Sequence, residues 1–207
     1  MAKTVRHEKI LGPAGQLEVE WVEQGEDLVV LCHPHPLYGG SMHNKVISTL
    51  TRAYQELGFS TLRFNFRGVG ASDGEHDYAQ GELEDLRAVI AWGRAQLPHA
   101  TLHLAGFSFG SYIALKAAAE YPLHSLCTVA PPVGLYDFSP EAVMSVPSST
   151  RWILLQGGRD EVVSAAEVLA WSQGLSQSPD LHWRASASHF FHGELVWLRE
   201  TVKLIRY

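Results

Sequence analysis

Ser108 stands at the centre of Gly106-Phe-Ser-Phe-Gly110, and two later stretches carry residues that could work with it: Asp160 in Gln156-Gly-Gly-Arg-Asp-Glu161 and His189 in Ala187-Ser-His-Phe-Phe-His192. A serine hydroxyl alone is a poor nucleophile at neutral pH. A histidine can remove its proton and later return one to a leaving group, while a carboxylate fixes the imidazole tautomer and stabilises the imidazolium. The chain order serine, acid, histidine suits a nucleophile on a strand-to-helix turn, with its partners on later loops. The glycines around Ser108 have a steric reason: such a turn drives its central residue to positive φ, and a Cβ on either side would collide with neighbouring backbone.

Each member has rivals. Asp160 follows glycines and precedes a helical stretch, a frequent setting for a turn or N-cap aspartate, and Glu161 and Asp137 are its substitutes as the acid. His189 is preferred to His192, about one helical turn further on, and to His182 inside the preceding strand. Acyl transfer also needs N–H donors for the oxyanion. Phe109, directly after the serine, is expected to supply one. Another should come from Cys32-His-Pro-His-Pro-Leu-Tyr-Gly-Gly40, where Pro34 and Pro36 lack an N–H, so His35 is the first choice and Leu37 or Tyr38 the alternatives. The side chains of His33 and His35 are expected to orient that loop. The pocket candidates are Leu37, Tyr38, Phe107, Phe109, Pro132 and Phe190.

The elements that must hold these residues alternate. Two extended segments flank Gly12-Pro-Ala-Gly15 and suggest an opening antiparallel hairpin ending near Glu23. Leu28–Cys32 is a continuous apolar run, as in a strand buried on both faces, followed by a Pro/Gly loop and a helix over Lys45–Leu57. Strands are predicted over Ser60–Asn65, Thr101–Ala105, Ser125–Ala130, Arg151–Gln156 and Leu181–Ala185. Helices are predicted over Glu82–Gln96, Ser111–Glu120, Ser164–Gly174 and Glu194–Ile205. Residues 131–147 are proline-bearing, without clear period, and too short for a lid domain. The pattern implies a mostly parallel sheet with helices on both faces, right-handed crossovers and functional loops beyond the strands' carboxyl ends.

Composition narrows the function. The 207 residues suit one large domain spanning 1–207, with no compositional break. A net charge of −6 without a basic run argues against nucleic acid as a partner. The N-terminus lacks the apolar core of a secretion signal, and no run of about 18 apolar residues could span a bilayer, so a cytoplasmic protein without membrane partner is expected. Cys32 and Cys127 fall inside apolar runs and are read as buried hydrophobes. Eleven histidines come without an HExxH or CxxC pattern, so no metal is expected, and Phe64–Gly74 lacks the lysine and spacing of a phosphate loop. That loop is read as a turn shaping the site, and no cofactor is expected.

HPHPLYGGSMHNK, NFRGVGASDGE, GELEDL, GFSFGSY, GGRDEVV and SHFFHG occur in this order over roughly residues 28 to 200. In this the chain resembles a group of small, lidless bacterial α/β-hydrolases akin to the dienelactone hydrolase and esterase branch. The resemblance implies an α/β-hydrolase fold, with Ser108, Asp160 and His189 at the triad positions and Phe109 with His35 or its neighbours at the oxyanion positions. His43 departs from it, standing where an aspartate would be expected. The expected function is a serine hydrolase that cleaves a small ester or related acyl compound through an acyl-enzyme. A thioesterase, lactone hydrolase or peptidase could use the same triad. A binding protein that kept the fold without turnover is the rival from another class.

Overall fold

The computed structural model describes residues 4–140 and 146–206. The opening hairpin is β1 (Arg6–Gly12) and β2 (Gly15–Val22), and then strands and helices alternate: β3 (Asp27–Cys32), α1 (Lys45–Glu56), β4 (Ser60–Phe64), α2 (Gly81–Gln96), β5 (Thr101–Phe107), α3 (Phe109–Ala118), β6 (Leu123–Val129), β7 (Arg151–Gly157), α4 (Ala165–Gln173), β8 (Asp180–Arg184) and α5 (Leu195–Val202). They form an eight-stranded sheet in the order β1-β2-β4-β3-β5-β6-β7-β8. β1 and β2 pair antiparallel, as do β2 and β4, and every other neighbouring pair is parallel. No helix or strand lies between β6 and β7 among the described residues.

Local chemistry explains the elements. α1 starts where Asn44 Oδ1 accepts the Val46 N–H at 2.8 Å, and it buries Val46, Ile47, Leu50 and Tyr54 along one stripe. α2 ends at Gln96, capped by Leu97 ahead of Pro98, which cannot continue a helix. β3 is buried on both faces by alternation: Val29 and Leu31 pack with residues of α1 and α5, while Leu28, Val30 and Cys32 pack with residues of α2 and α3. α1 and α5 thus cover one side of the sheet. α2 and α3 cover the other.

The strand order places the site. From β3 the chain crosses to β4 on one side, then returns to β5 on the other, so the order reverses between β3 and β5. Loops leaving the carboxyl ends of such strands diverge and open a crevice. The two loops that diverge here are His33–Gly40 and the turn at Ser108.

β5 continues two residues past the expected end, and Phe107 still pairs with Val129 of β6. Phe107 therefore faces the core beneath α1 and α5 and is fully buried, so it is a support and not the pocket wall expected of it. The closing helix is shorter than expected: α5 ends at Val202 and tightens into a 3-10 turn over Lys203–Arg206.

Candidate active site

Ser108 has φ +52° and ψ −122°, the strained turn expected between strand and helix. Its N–H is held by Val129 O at 2.8 Å, and the residue is 8% exposed. The neighbouring glycines leave no room for side chains: a Cβ on Gly106 would lie 2.3 Å from Gly110 O, and one on Gly110 would lie 2.1 Å from Cys32 O. The serine is thrust outward by backbone packing on both sides.

His189, in the loop between β8 and α5, places Nε2 3.2 Å from Ser108 Oγ and Nδ1 2.9 Å from Asp160 Oδ2. Asp160 follows β7, and its side chain is fully buried. Its Oδ1 accepts the N–H groups of Val162 at 2.9 Å and Val163 at 2.7 Å, and its Oδ2 also accepts from Gln156 Nε2 at 3.1 Å. Burial alone would raise this carboxyl's pKa, but the hydrogen bonds from His189, Val163 and Val162 outweigh it and hold the group below the usual aspartate range. The acid stays ionised beside the imidazole.

The rivals fall elsewhere. Glu161 accepts the backbone N–H of His189 at 3.1 Å and so supports the histidine's loop. Asp137 is exposed and caps Ser139, His192 is exposed, and His182 pairs with Asp180 at 3.3 Å. His43 sits 3.7 Å from Glu20 on the β2 side and touches none of these groups.

The His33–Gly40 loop folds into a 3-10 turn over Pro36–Tyr38 that no local pattern announces. His33 is buried and ties the loop down, with Nδ1 2.6 Å from Pro34 O and Nε2 accepting the Phe66 N–H at 3.0 Å. His35 Nδ1 accepts the Leu37 N–H, and His35 O accepts the Tyr38 N–H. The N–H groups of Leu37 and Tyr38 are therefore used within the turn. Those of His35 and Phe109 bond no described residue.

Among the remaining pocket candidates, Leu37 and Tyr38 are exposed on the rim, while Phe109 and Pro132 are buried. Phe190 is partly exposed, its ring 5.0 Å from that of His189. An open cleft of about 340 Å³ lies beside the loop, lined by Pro36, Leu37, His76 and Tyr78 among others. His76 and Tyr78 carry no sequence signal of their own; their relation to His35 is a long-range one, although Glu82 behind them belongs to the GELEDL stretch. A larger hollow of about 470 Å³ is walled by Phe138, Val146, Trp152 and Trp171, and neither it nor the open cleft is lined by Ser108, Asp160 or His189.

A second serine–histidine–aspartate chain lies at the opposite ends of the strands. His103 Nδ1 is 2.6 Å from Ser125 Oγ and its Nε2 is 3.3 Å from Asp27 Oδ1. Ser125 and His103 are buried, so this set joins β3, β5 and β6 and has no access to a substrate. Burial pushes His103 down to about 4 and His33 likewise to about 4. Burial lowers His35 as well, helped by neighbouring His76. Folded-state values below the unfolded 6.5 mean that the unfolded chain binds these protons first. Stability should therefore be level above about pH 7 and fall as pH drops from about 6.5 towards 4, each buried imidazole adding roughly 1.4 kcal/mol per pH unit. Urea midpoints measured across that window should show the slope, and His103→Gln should make it shallower. A midpoint independent of pH from 6.5 to 4.5 would refute the assignment.

A family model described as alpha/beta hydrolase fold matches residues 27–191. The chain is 41% identical to a lid-free alpha/beta serine hydrolase of Xanthomonas campestris, with 99% of this chain and 94% of that one covered and a TM-score of 0.92. An alpha/beta serine hydrolase homologue from Coxiella burnetii is 43% identical, with 96% of each chain covered and a TM-score of 0.89. An uncharacterized protein of Rickettsia prowazekii is 35% identical over 193 residues, covering 87% of this chain and 79% of that protein.

Proposed function

The chain belongs to the alpha/beta hydrolase family, and from that premise we propose that it is a serine hydrolase cleaving a small ester or related acyl substrate, with Ser108 as nucleophile. The observation that carries the reading is the continuous chain from Ser108 Oγ through His189 to Asp160 Oδ2, placed at the β3/β5 crevice. In this mechanism Ser108 Oγ attacks the acyl carbon while His189 Nε2 takes the hydroxyl proton. Asp160 keeps the other imidazole proton on Nδ1 and stabilises the imidazolium. The N–H groups of His35 and Phe109, neither of which bonds a described residue, hold the oxyanion. Collapse of the tetrahedral intermediate expels the alcohol, which takes the proton from His189. Water, deprotonated by His189, then attacks the acyl-enzyme, and collapse releases the acid as His189 returns the proton to Ser108 Oγ.

A small substrate fits the surroundings better than a long lipid, because the rim residues Leu37 and Tyr38 stand in solvent. A fluorophosphonate probe tests the nucleophile. The expected result is one covalent adduct, mapped by mass spectrometry to Ser108 and absent from Ser108→Ala. Folded protein that gains no adduct would point instead to a binding protein on a hydrolase fold.

A further inference from the structure

We infer that the cleft lined by Pro36, Leu37, His76 and Tyr78 is a substrate subsite for a neutral, flat apolar group bearing a hydroxyl, with His76 as the acceptor. This rests on Ser108 being the nucleophile, since the cleft matters to turnover only if it adjoins the reacting carbonyl. The adjacency is visible in the rings. That of His76 lies 4.8 Å from His35 and 5.8 Å from Phe109, the two residues whose N–H groups are proposed to hold the oxyanion.

The imidazole is set in place from behind. The His76 side chain is 6% exposed, and its Nδ1 lies 2.7 Å from Oε1 of Glu82, whose side chain is fully buried. Oε1 lies against Nδ1 without the alignment of a hydrogen bond, and its negative charge favours the proton on that nitrogen, which leaves Nε2 as the acceptor. Glu82 is fixed in turn, accepting the Asp77 N–H at 2.9 Å and the Ala79 N–H at 2.8 Å. Those bonds hold a strained turn: Tyr78 and Ala79 have φ +48° and +72°, the left-handed region that non-glycine residues rarely adopt. The turn delivers Tyr78 to the rim, where it is 80% exposed against the His76 ring at 5.3 Å. A flat group in the cleft would meet the rings of His76 and Tyr78, and Tyr38 stands outside it, against His35 at 4.7 Å.

Charge selects against an anion. The one guanidinium lining the cleft among the described residues, Arg67, is engaged by buried Asp85 at 2.8 Å, with Glu84 at 3.6 Å and Asp77 at 3.8 Å. Glu75 lines the cleft as well. Carboxylates outnumber cations around the imidazole, so a carboxylate on the ligand meets repulsion and a hydroxyl donor does not.

Two matched ester pairs test the subsite: phenyl and 4-hydroxyphenyl acetate carry the ring in the alcohol, and methyl 3-phenylpropanoate and its 4-hydroxyphenyl analogue carry it in the acid. In the pair whose ring enters the cleft, His76→Phe should lower kcat/KM for the hydroxylated member about tenfold more than for its partner, mainly through KM. His76→Gln, which keeps an acceptor, should recover part of that difference, and 4-carboxyphenyl acetate should be a poorer substrate than phenyl acetate. Binding of 4-methylphenol, followed by the His76 imidazole resonances, needs no turnover. If esters are not cleaved but 4-methylphenol still shifts His76, the hydrolase reading falls and the subsite stands. Equal losses in both pairs, or no shift at His76, would overturn the subsite.

Discussion

Replacing His189 with alanine is expected to lower kcat/KM for p-nitrophenyl acetate by about 10⁴- to 10⁶-fold while leaving the thermal unfolding midpoint within a few degrees of the parent. Among the described residues the imidazole is the only basic side chain that bonds Ser108 Oγ, at 3.2 Å, so under the proposed mechanism its loss returns the serine to the reactivity of an ordinary hydroxyl. Ser108→Ala should cost as much. The double variant should lose little more than either alone, because the two side chains act in one proton transfer. Asp160→Asn should cost about 10⁴-fold for a subtler reason. Oδ2 accepts from both His189 and Gln156, and Oδ1 from two backbone N–H groups. An amide nitrogen at either place faces donors, and where it meets His189 it pushes the imidazole proton to Nε2, the wrong atom. A loss of less than about tenfold for His189→Ala would remove Ser108 and His189 from the chemistry.

Gly110→Ala is expected to destabilise the fold by more than about 4 kcal/mol or to prevent soluble expression. The added Cβ would stand 2.1 Å from Cys32 O and 2.5 Å from His33 O. Both are backbone atoms where β3 runs into its loop, and neither can swing aside as a side chain would. Gly39→Ala is the control. Gly39 has φ +77° with nothing within 4 Å of an added methyl, so the cost there is the left-handed conformation alone, about 1 kcal/mol. Urea denaturation of the two variants measures the difference. Equal midpoints would mean that the elbow can open, and that its packing does not set the serine's geometry.

Much of this was legible because its signals are local. Apolar runs such as Leu28–Cys32 mark strands, and the stripe from Val46 to Tyr54 marks a helix, since side-chain periodicity is read within a few residues. The Gly-x-Ser-x-Gly stretch announces a steric demand that the φ of Ser108 meets. What escaped is non-local. The strand order depends on which apolar faces find each other, and the His76–Glu82 contact depends on a turn that no glycine announces at Tyr78 and Ala79. Phe107 was misjudged because the end of β5 is set by pairing with Val129, a partner more than twenty positions away. His103 with Ser125 and Asp27 teaches the converse. Matching residue types at bonding distances make no site when the serine is sealed inside the sheet.

The close approach of Gly110 to the carbonyls of Cys32 and His33 has a mechanical consequence. It clamps the first turn of α3 to the end of β3, from which the His33–Gly40 loop departs two residues before His35. The proposed nucleophile and oxyanion donor therefore share one tightly packed joint, and their displacements are expected to be correlated. Substitutions on the exposed rim at Leu37, Tyr38 and Tyr78 are then expected to change substrate preference without shifting Ser108 relative to His35.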